Sequence, residues 1–175
     1  QPLLRIPLLN ALQSNIHVTL WMQTHLLLTM IVQSLTAGLF EETTRLLFRH
    51  TLWRHQTVSI KNALLFGLGH GLMEVLLVLG PVINHDFLTL LPALFERFFA
   101  VLAHMGLSLL IFSMANVGRS APAWLYAVIM HFLFNIGAVV ILRFTGSVLF
   151  SEIWIAVVSV FIFGIAWRQA IFMER

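Results

Sequence analysis

Five stretches of this chain run for about 20 or more mostly apolar residues, the length that carries an α-helix across a bilayer core. They cover residues 16–48, 60–79, 93–114, 122–142 and 148–167. In lipid no water satisfies a free backbone N–H or C=O, so such stretches close their own hydrogen bonds as helices. The expected fold is therefore all-α, a polytopic transmembrane bundle of about five spans. The first stretch is longer than a crossing needs, so it is expected to tilt or project. Gly80-Pro81 stops the second, and Pro122 suits the first turn of the fourth.

Composition agrees. Hydrophobic residues make up 59% of the 175 and charged ones 10%, against about 25% charged in soluble domains. The mean hydropathy is +0.93. With no cysteine, disulfides, thiolate metal sites and a Cys nucleophile are excluded. The net charge of +3 comes from basic residues scattered singly, so no nucleic-acid partner is expected. No repeat or flexible linker divides the chain, and residues 1–175 read as a single domain. The start at Gln1, with Pro2 and Pro7 close behind, reads as the end of an upstream element.

The basic residues set a direction. Arg49, Arg54 and Lys61 separate spans one and two, Arg119 separates three and four, and Arg168 and Arg175 follow span five. The 2–3 loop has Asp86 and no Lys or Arg, and the 4–5 loop has only Arg143. The positive-inside rule makes the 1–2 loop, the 3–4 loop and the C-terminus cytoplasmic, in agreement with strict alternation of five spans.

Polar residues then fall at one depth. Glu41, His70, His104 and His131, each from a different span, lie about 12–16 Å from the cytoplasmic face at 1.5 Å per helical residue. Pairs at i, i+4 share a helix face: Glu41 with Arg45, His70 with Glu74, His104 with Ser108, and His131 with Asn135. A charge at a helix centre costs about 2.5–3.5 kcal/mol on insertion scales, so Glu41, Glu42, Arg45 and Glu74 unpaired would cost on the order of 12 kcal/mol. They must be paired, hydrated or neutralised. Interhelical polar glue is the bland explanation, but convergence from four helices favours a functional site. A buried carboxylate acts as a general base toward water, a neighbouring His orients that water, and His131 with Asn135 offers donors to an oxyanion. Arg45 holds Glu41 or Glu42. The chemistry these residues suit is hydrolysis of an amide by water.

At these residues the chain resembles a known family. Glu41-Glu42-Thr43-Thr44-Arg45, Phe66-Gly-Leu-Gly-His70 and His131-Phe-Leu-Phe-Asn135 resemble the EExxR, FxxxH and HxxxN motifs of the CPBP superfamily of CAAX proteases and bacteriocin-processing enzymes. The stretch FGLGHGLMEVL from Phe66 to Leu76 is similar to a GxGHGxxE segment of the YhfC family of membrane peptidases, and Glu96-Arg97 with His104 and Ser108 to its ERxxAxxxH segment. The matches span residues 38–140. CAAX enzymes more often have three residues between the Glu pair and the Arg. Here there are two, as in the YhfC-like branch, which often has Asp where Asn135 stands.

The resemblance implies a glutamate-dependent intramembrane endopeptidase acting on a membrane-anchored peptide or protein near the cytoplasmic leaflet, in a bacterial cytoplasmic membrane. Glu41 would activate water, Glu42 and Arg45 would support it, His70 would help bind the water, and His131 and Asn135 would form the oxyanion hole. Glu74, His104, Glu96 and Arg97 are supporting candidates, with Glu96-Arg97 either an interfacial salt bridge or part of the site from above. No cofactor is expected. One alternative is a metal-dependent hydrolase with Zn²⁺ on His70, His104, His131 and Glu41. Others are a non-catalytic scaffold of the same fold and a proton pathway.

Gly67, Gly69 and Gly71 are expected to allow close helix approach around His70. Gln23, His25 and Gln33 are read as helix contacts, and His17, His50, His55 and His85 as solvated. Trp53, Trp124, Trp154 and Trp167 are expected near the interfaces. Glu152 has no partner evident from sequence.

Overall fold

A computed structural model describes residues 5–82 and 86–174 of the chain; Gln1, Pro2, His85 and Arg175 lie outside the described residues. Seven α-helices follow in order: α1 (Arg5–Gln13), α2 (Ile16–Thr24), α3 (Leu26–Leu52), α4 (Ile60–Leu79), α5 (Phe87–Asn116), α6 (Ser120–Thr145) and α7 (Val148–Glu174). The fold is an all-α polytopic bundle. Four helices, α4 to α7, are long and apolar enough to cross a membrane, and α2 with α3 makes a fifth span if taken together.

The first expected span is not one helix. It breaks at His25, and α2 and α3 are bent by 106°. Polar side chains take up the backbone groups that the break releases. Thr24 Oγ1 donates to the Trp21 carbonyl at 2.9 Å, and Thr29 Oγ1 reaches across the bend to the Met22 carbonyl at 3.0 Å. The His25 ring stacks on Trp21 with centroids 4.7 Å apart. The second span has the expected bounds. Ser59 caps its start, accepting from the Asn62 N–H, and a 3₁₀ turn over Gly80–Val82 follows its end. Gly146, at φ +65°, ends α6 in the left-handed conformation that favours glycine.

α5 is the centre of the bundle. It packs on α4, α6 and α7, while α3 packs on α6. The apolar core gathers around it, with Leu107, Ile111, Phe112 and Ile162 all but fully buried. Small residues let the helices approach closely. A Cβ on Gly106 would lie 3.0 Å from Phe163 Cα, and Ala166 and Ala170 are fully buried. Trp154 is a packing residue rather than part of an interfacial belt: its indole fills the space that a side chain on Gly137 would need, and its Nε1 donates to the Phe134 carbonyl at 3.3 Å. Among the described residues α3 and α4 do not pack on one another to a comparable degree, so the order α4–α5–α7–α6–α3 leaves one seam open.

The 3–4 connection is tied to the end of α5. Asn116 exchanges hydrogen bonds with both backbone groups of Val58, at 3.0 and 2.8 Å. Arg49 donates to Asn116 Oδ1 at 2.9 Å and to the carbonyls of Trp53 and Gln56. His17, His50 and His55 are exposed, as expected.

Candidate functional site

Glu41 of α3, His70 of α4, His104 of α5 and His131 of α6 come together from four helices. Glu41 and Glu42 of α3, one residue apart on a buried face, are held in different ways. Glu42 has a partner at each oxygen: its Oε2 lies in an ion pair with Arg45 Nε at 3.1 Å, and its Oε1 accepts from His131 Nδ1 of α6 at 2.7 Å. Arg45 therefore holds Glu42, not Glu41. The rest of the Arg45 guanidinium crosses to α5, where Nη1 donates to the His104 carbonyl at 2.7 Å and to Ser108 Oγ at 2.8 Å. Its Nη2 lies 3.0 Å from His104 Nδ1. The i, i+4 pair of His104 and Ser108 thus serves one partner, as its spacing implied.

Glu41 is held by imidazoles instead. Its Oε2, like Glu42 Oε2, is buried and makes no hydrogen bond among the described residues. Three imidazole nitrogens from three other helices face it: His70 Nε2 at 3.3 Å, His131 Nε2 at 3.8 Å and His104 Nδ1 at 3.9 Å. The rings of His70 and His104 stack with centroids 4.5 Å apart.

The hydrogen bonds fix which nitrogens carry protons. A carboxylate only accepts, so His131 donates from Nδ1 to Glu42, and His104 donates from Nε2 to Glu74 Oε2 at 2.7 Å. In the neutral rings, His131 Nε2 then turns a lone pair toward the Glu41 carboxylate, while that of His104 Nδ1 accepts from Arg45 Nη2. A lone pair facing an anion is unfavourable unless a cation or proton sits between them.

Metal-ligating His residues commonly donate their other N–H to a carboxylate, which sets the tautomer and raises ring basicity. His131 with Glu42 and His104 with Glu74 both have that arrangement. Two sets of ligand atoms, Glu41–His70–His104 and Glu41–Glu42–His131, each lie within 4.8 Å of one another. The orphaned Glu41 oxygen, the lone-pair directions and the N/O donor set all fit a divalent metal such as Zn²⁺. Arg45 Nη2 would have to release His104 Nδ1 for that nitrogen to ligate.

A second ionic layer lies on the side of the site away from Arg49. Arg97 Nη1 pairs with Glu74 Oε1 at 3.3 Å, and its Nη2 with Glu96. Glu96 and Arg97 form a salt bridge with one another, and Arg97 also ties Glu74 to it. Glu152 of α7 lies within electrostatic reach of Glu96 and Arg97. The i, i+4 rule ties Glu74 to His70, but its link to Arg97 is interhelical and has no sequence signal.

Asn135 is placed elsewhere. It lines a cavity of about 190 Å³ with Arg5, Gln33, Ser34 and Val139. Glu41 and His70 line another cavity, of about 740 Å³, between α3 and α4. Arg5, which sequence reasoning did not single out, pins α1 to α3 by donating to the Gln33 carbonyl at 2.8 Å and to Thr36 Oγ1 at 3.4 Å.

No curated protein and no solved structure matches the chain. A family model described as YhfC intramembrane metalloprotease matches residues 2–91. That stretch includes Glu41, Glu42, Arg45, His70 and Glu74; His104 and His131 join them through the geometry. The description adds a metal to what the sequence alone led us to expect, and the donor set above can accommodate one. This integral membrane chain belongs to the YhfC intramembrane metalloprotease family, and is a hydrolase of peptide bonds.

Proposed function

We propose that the Glu41 cluster is the catalytic centre and hydrolyses a peptide bond of a membrane-anchored substrate inside the bilayer, toward its cytoplasmic leaflet. One observation carries this reading: a buried carboxylate oxygen without a hydrogen bond is faced by imidazole nitrogens from three other helices. The cytoplasmic assignment rests on Arg49, Arg54, Lys61 and Arg119, which gather at the membrane end nearer the cluster.

His70, His104 and His131 would hold the metal, which when bound would polarise the scissile carbonyl and make water a better nucleophile at neutral pH. Glu41 lines the cavity that a substrate would occupy, so it is the group to take the proton from the attacking water and return it to the leaving amine. Glu42 and Glu74 orient His131 and His104. Arg45 neutralises Glu42 and fixes α3 to α5, and Arg97 steadies Glu74. Asn135, which lines a separate cavity, is not assigned the oxyanion.

A second reading, in which Glu41 works without metal, is favoured by the Arg45 hydrogen bond to His104 Nδ1, which already uses one of the lone pairs. Cleavage of membrane-anchored peptides by purified wild type and Glu41→Gln, with metal content measured before and after chelation, separates the two. We expect bound metal, loss of cleavage on chelation, recovery with Zn²⁺, and a fall of at least about 10²-fold in Glu41→Gln. Cleavage that survives complete removal of metal but not Glu41→Gln would establish the second reading. Full activity of Glu41→Gln would sink both.

A further inference from the structure

The cavity of about 190 Å³ that Asn135 lines is walled by polar groups. Arg5 comes from α1, Gln33 and Ser34 from α3, and Asn135 from α6. Arg5 brings a full charge, anchored on the Gln33 carbonyl and Thr36 Oγ1. The side-chain amides of Gln33 and Asn135 and the hydroxyl of Ser34 make no hydrogen bond among the described residues. Ser34 is only 6% exposed, so what its hydroxyl meets is the cavity. Polar glue between helices does not describe these groups, because they face one another across α3 and α6 without bonding.

A buried hydroxyl or amide without a partner costs about 1–3 kcal/mol. An acyl chain in this cavity would leave three such groups and a guanidinium against hydrocarbon. Water removes that cost. It is held as part of a structure where a site is polar, offers roughly two to four partners per molecule and gives each about 30 Å³. The cavity has the partners, and its volume has room for several molecules.

The cavity also lies beside the Glu41 layer. Ala37 in its wall is one turn before Glu41 on α3, and Asn135 is one turn after His131 on α6. Arg5 is within electrostatic reach of Glu41. At Gly38 the two helices close on one another: a Cβ there would lie 3.2 Å from the Val128 carbonyl oxygen and 3.4 Å from His131 Cβ.

We infer that this cavity is a water site, and that the Glu41 centre draws from it the water consumed in hydrolysis. The second half rests on the reading of the Glu41 cluster as the peptidase centre. Each turnover adds one water across the peptide bond, hydroxyl to the carbonyl carbon and proton to the leaving nitrogen. The hydrocarbon around the bundle supplies none. Gln33, Ser34 and Asn135 hold the water in reserve, and Glu41 activates it.

The absence of cysteine makes hydration measurable by thiol chemistry, because the thiolate is the reactive form and apolar surroundings suppress it. Val139→Cys sits on the cavity wall. Ile153→Cys, at a position 49% exposed on α7, is the control. The two lie at similar distances from the α6–α7 connection, and so at similar depth. In phosphatidylcholine vesicles, methanethiosulfonate ethylammonium should modify position 139 at least about tenfold faster than 153. Adding Ser34→Val with Gln33→Leu, or Asn135→Leu alone, should remove that excess while the thermal unfolding of the protein stays unchanged. In the metal-loaded chain without added cysteines, Asn135→Leu should lower kcat about tenfold with KM unchanged, and Asn135→Ser, which keeps a polar group, should restore it.

Equal modification at 139 and 153, as lipid filling the cavity would give, overturns the proposal. So does an excess at 139 that survives both sets of apolar variants in folded protein. A kcat of Asn135→Leu equal to that of wild type overturns the supply of water to Glu41. The labelling does not depend on catalysis. An excess at 139 with no cleavage by metal-loaded wild type keeps the water site and removes the peptidase reading. Cleavage with equal labelling does the reverse.

Discussion

The two faces of α5 are built on different principles. Toward α7, Gly106 lets the backbones approach, and Ile162, Ala166 and Ala170 pack the interface closely. Toward α3, His104 and Ser108 meet the buried guanidinium of Arg45, and His104 also reaches Glu74. In lipid the hydrophobic effect does little to join helices, so close packing of small residues and interhelical hydrogen bonds must do it. The apolar face gives α5 a fixed seat. The polar face uses that seat to hold Arg45 and Glu74 in place, and with them the Glu42 that Arg45 pairs with, while Glu41 faces three imidazoles and lines the cavity between α3 and α4.

If that division is right, disrupting the polar face should cost most. Arg45→Met removes the counter-charge of fully buried Glu42 and is expected to destabilise the protein by about 3–5 kcal/mol, measured by unfolding in detergent. A loss under about 1 kcal/mol would mean that Glu42 is hydrated or protonated in place, and the polar face less essential than drawn.

Disruption of the apolar face should come next. Gly106→Leu forces α7 away from α5 and should cost about 1–3 kcal/mol, with His104 displaced as a consequence. Metal affinity should fall with stability in this variant. If affinity is unaffected, the two faces are independent.

Glu74→Gln tests orientation alone. The side-chain volume is kept, but the carboxylate that sets the His104 tautomer is gone, and metal affinity should drop about 10–100-fold with little change in unfolding temperature. Zinc titration of the purified protein reads this directly. The smallest effects separate the glycines of α4. Gly69→Ala should stabilise by up to about 1 kcal/mol, because a Cβ there meets nothing within 4 Å and Ala is the better helix former. Gly67→Ala should destabilise, because the new methyl would lie 2.5 Å from Met105 Cα on α5. Equal effects of the two would mean that Gly67 does not seat α4 on α5.

How much of this was legible in the chain depends on whether the controlling physics is local. The bounds of α4, the capping Ser59 and the end of α6 near Gly146 follow from apolar length and terminal residues, which act over a few positions. The break at His25 was written in the polar run Gln23-Thr24-His25, yet the surrounding apolar length outweighed it in the sequence reading. The i, i+4 rule correctly placed Glu41 with Arg45 and His104 with Ser108 on shared faces. It did not tell which of two adjacent carboxylates the arginine would hold, because a rotation of α3 by a fraction of a turn exchanges them. Asn135 shares a helix face with His131 but opens onto another cavity, since one turn along α6 is enough to pass from one neighbour of α3 to the next.

By itself, then, the sequence determined that the chain lies in a membrane, that it is helical, and that Glu41, His70, His104 and His131 share a depth. Rise per residue and the cost of an unsatisfied backbone in lipid are properties of any chain. Only the tertiary structure decided that Arg45 pairs with Glu42 while three imidazoles face Glu41, that Arg97 backs Glu74, and that the seam between α3 and α4 stays open. Those outcomes depend on which helices lie side by side and at what rotation, and that is settled by close contacts such as Gly67 on Met105, Gly106 on Phe163 and Gly137 on Trp154.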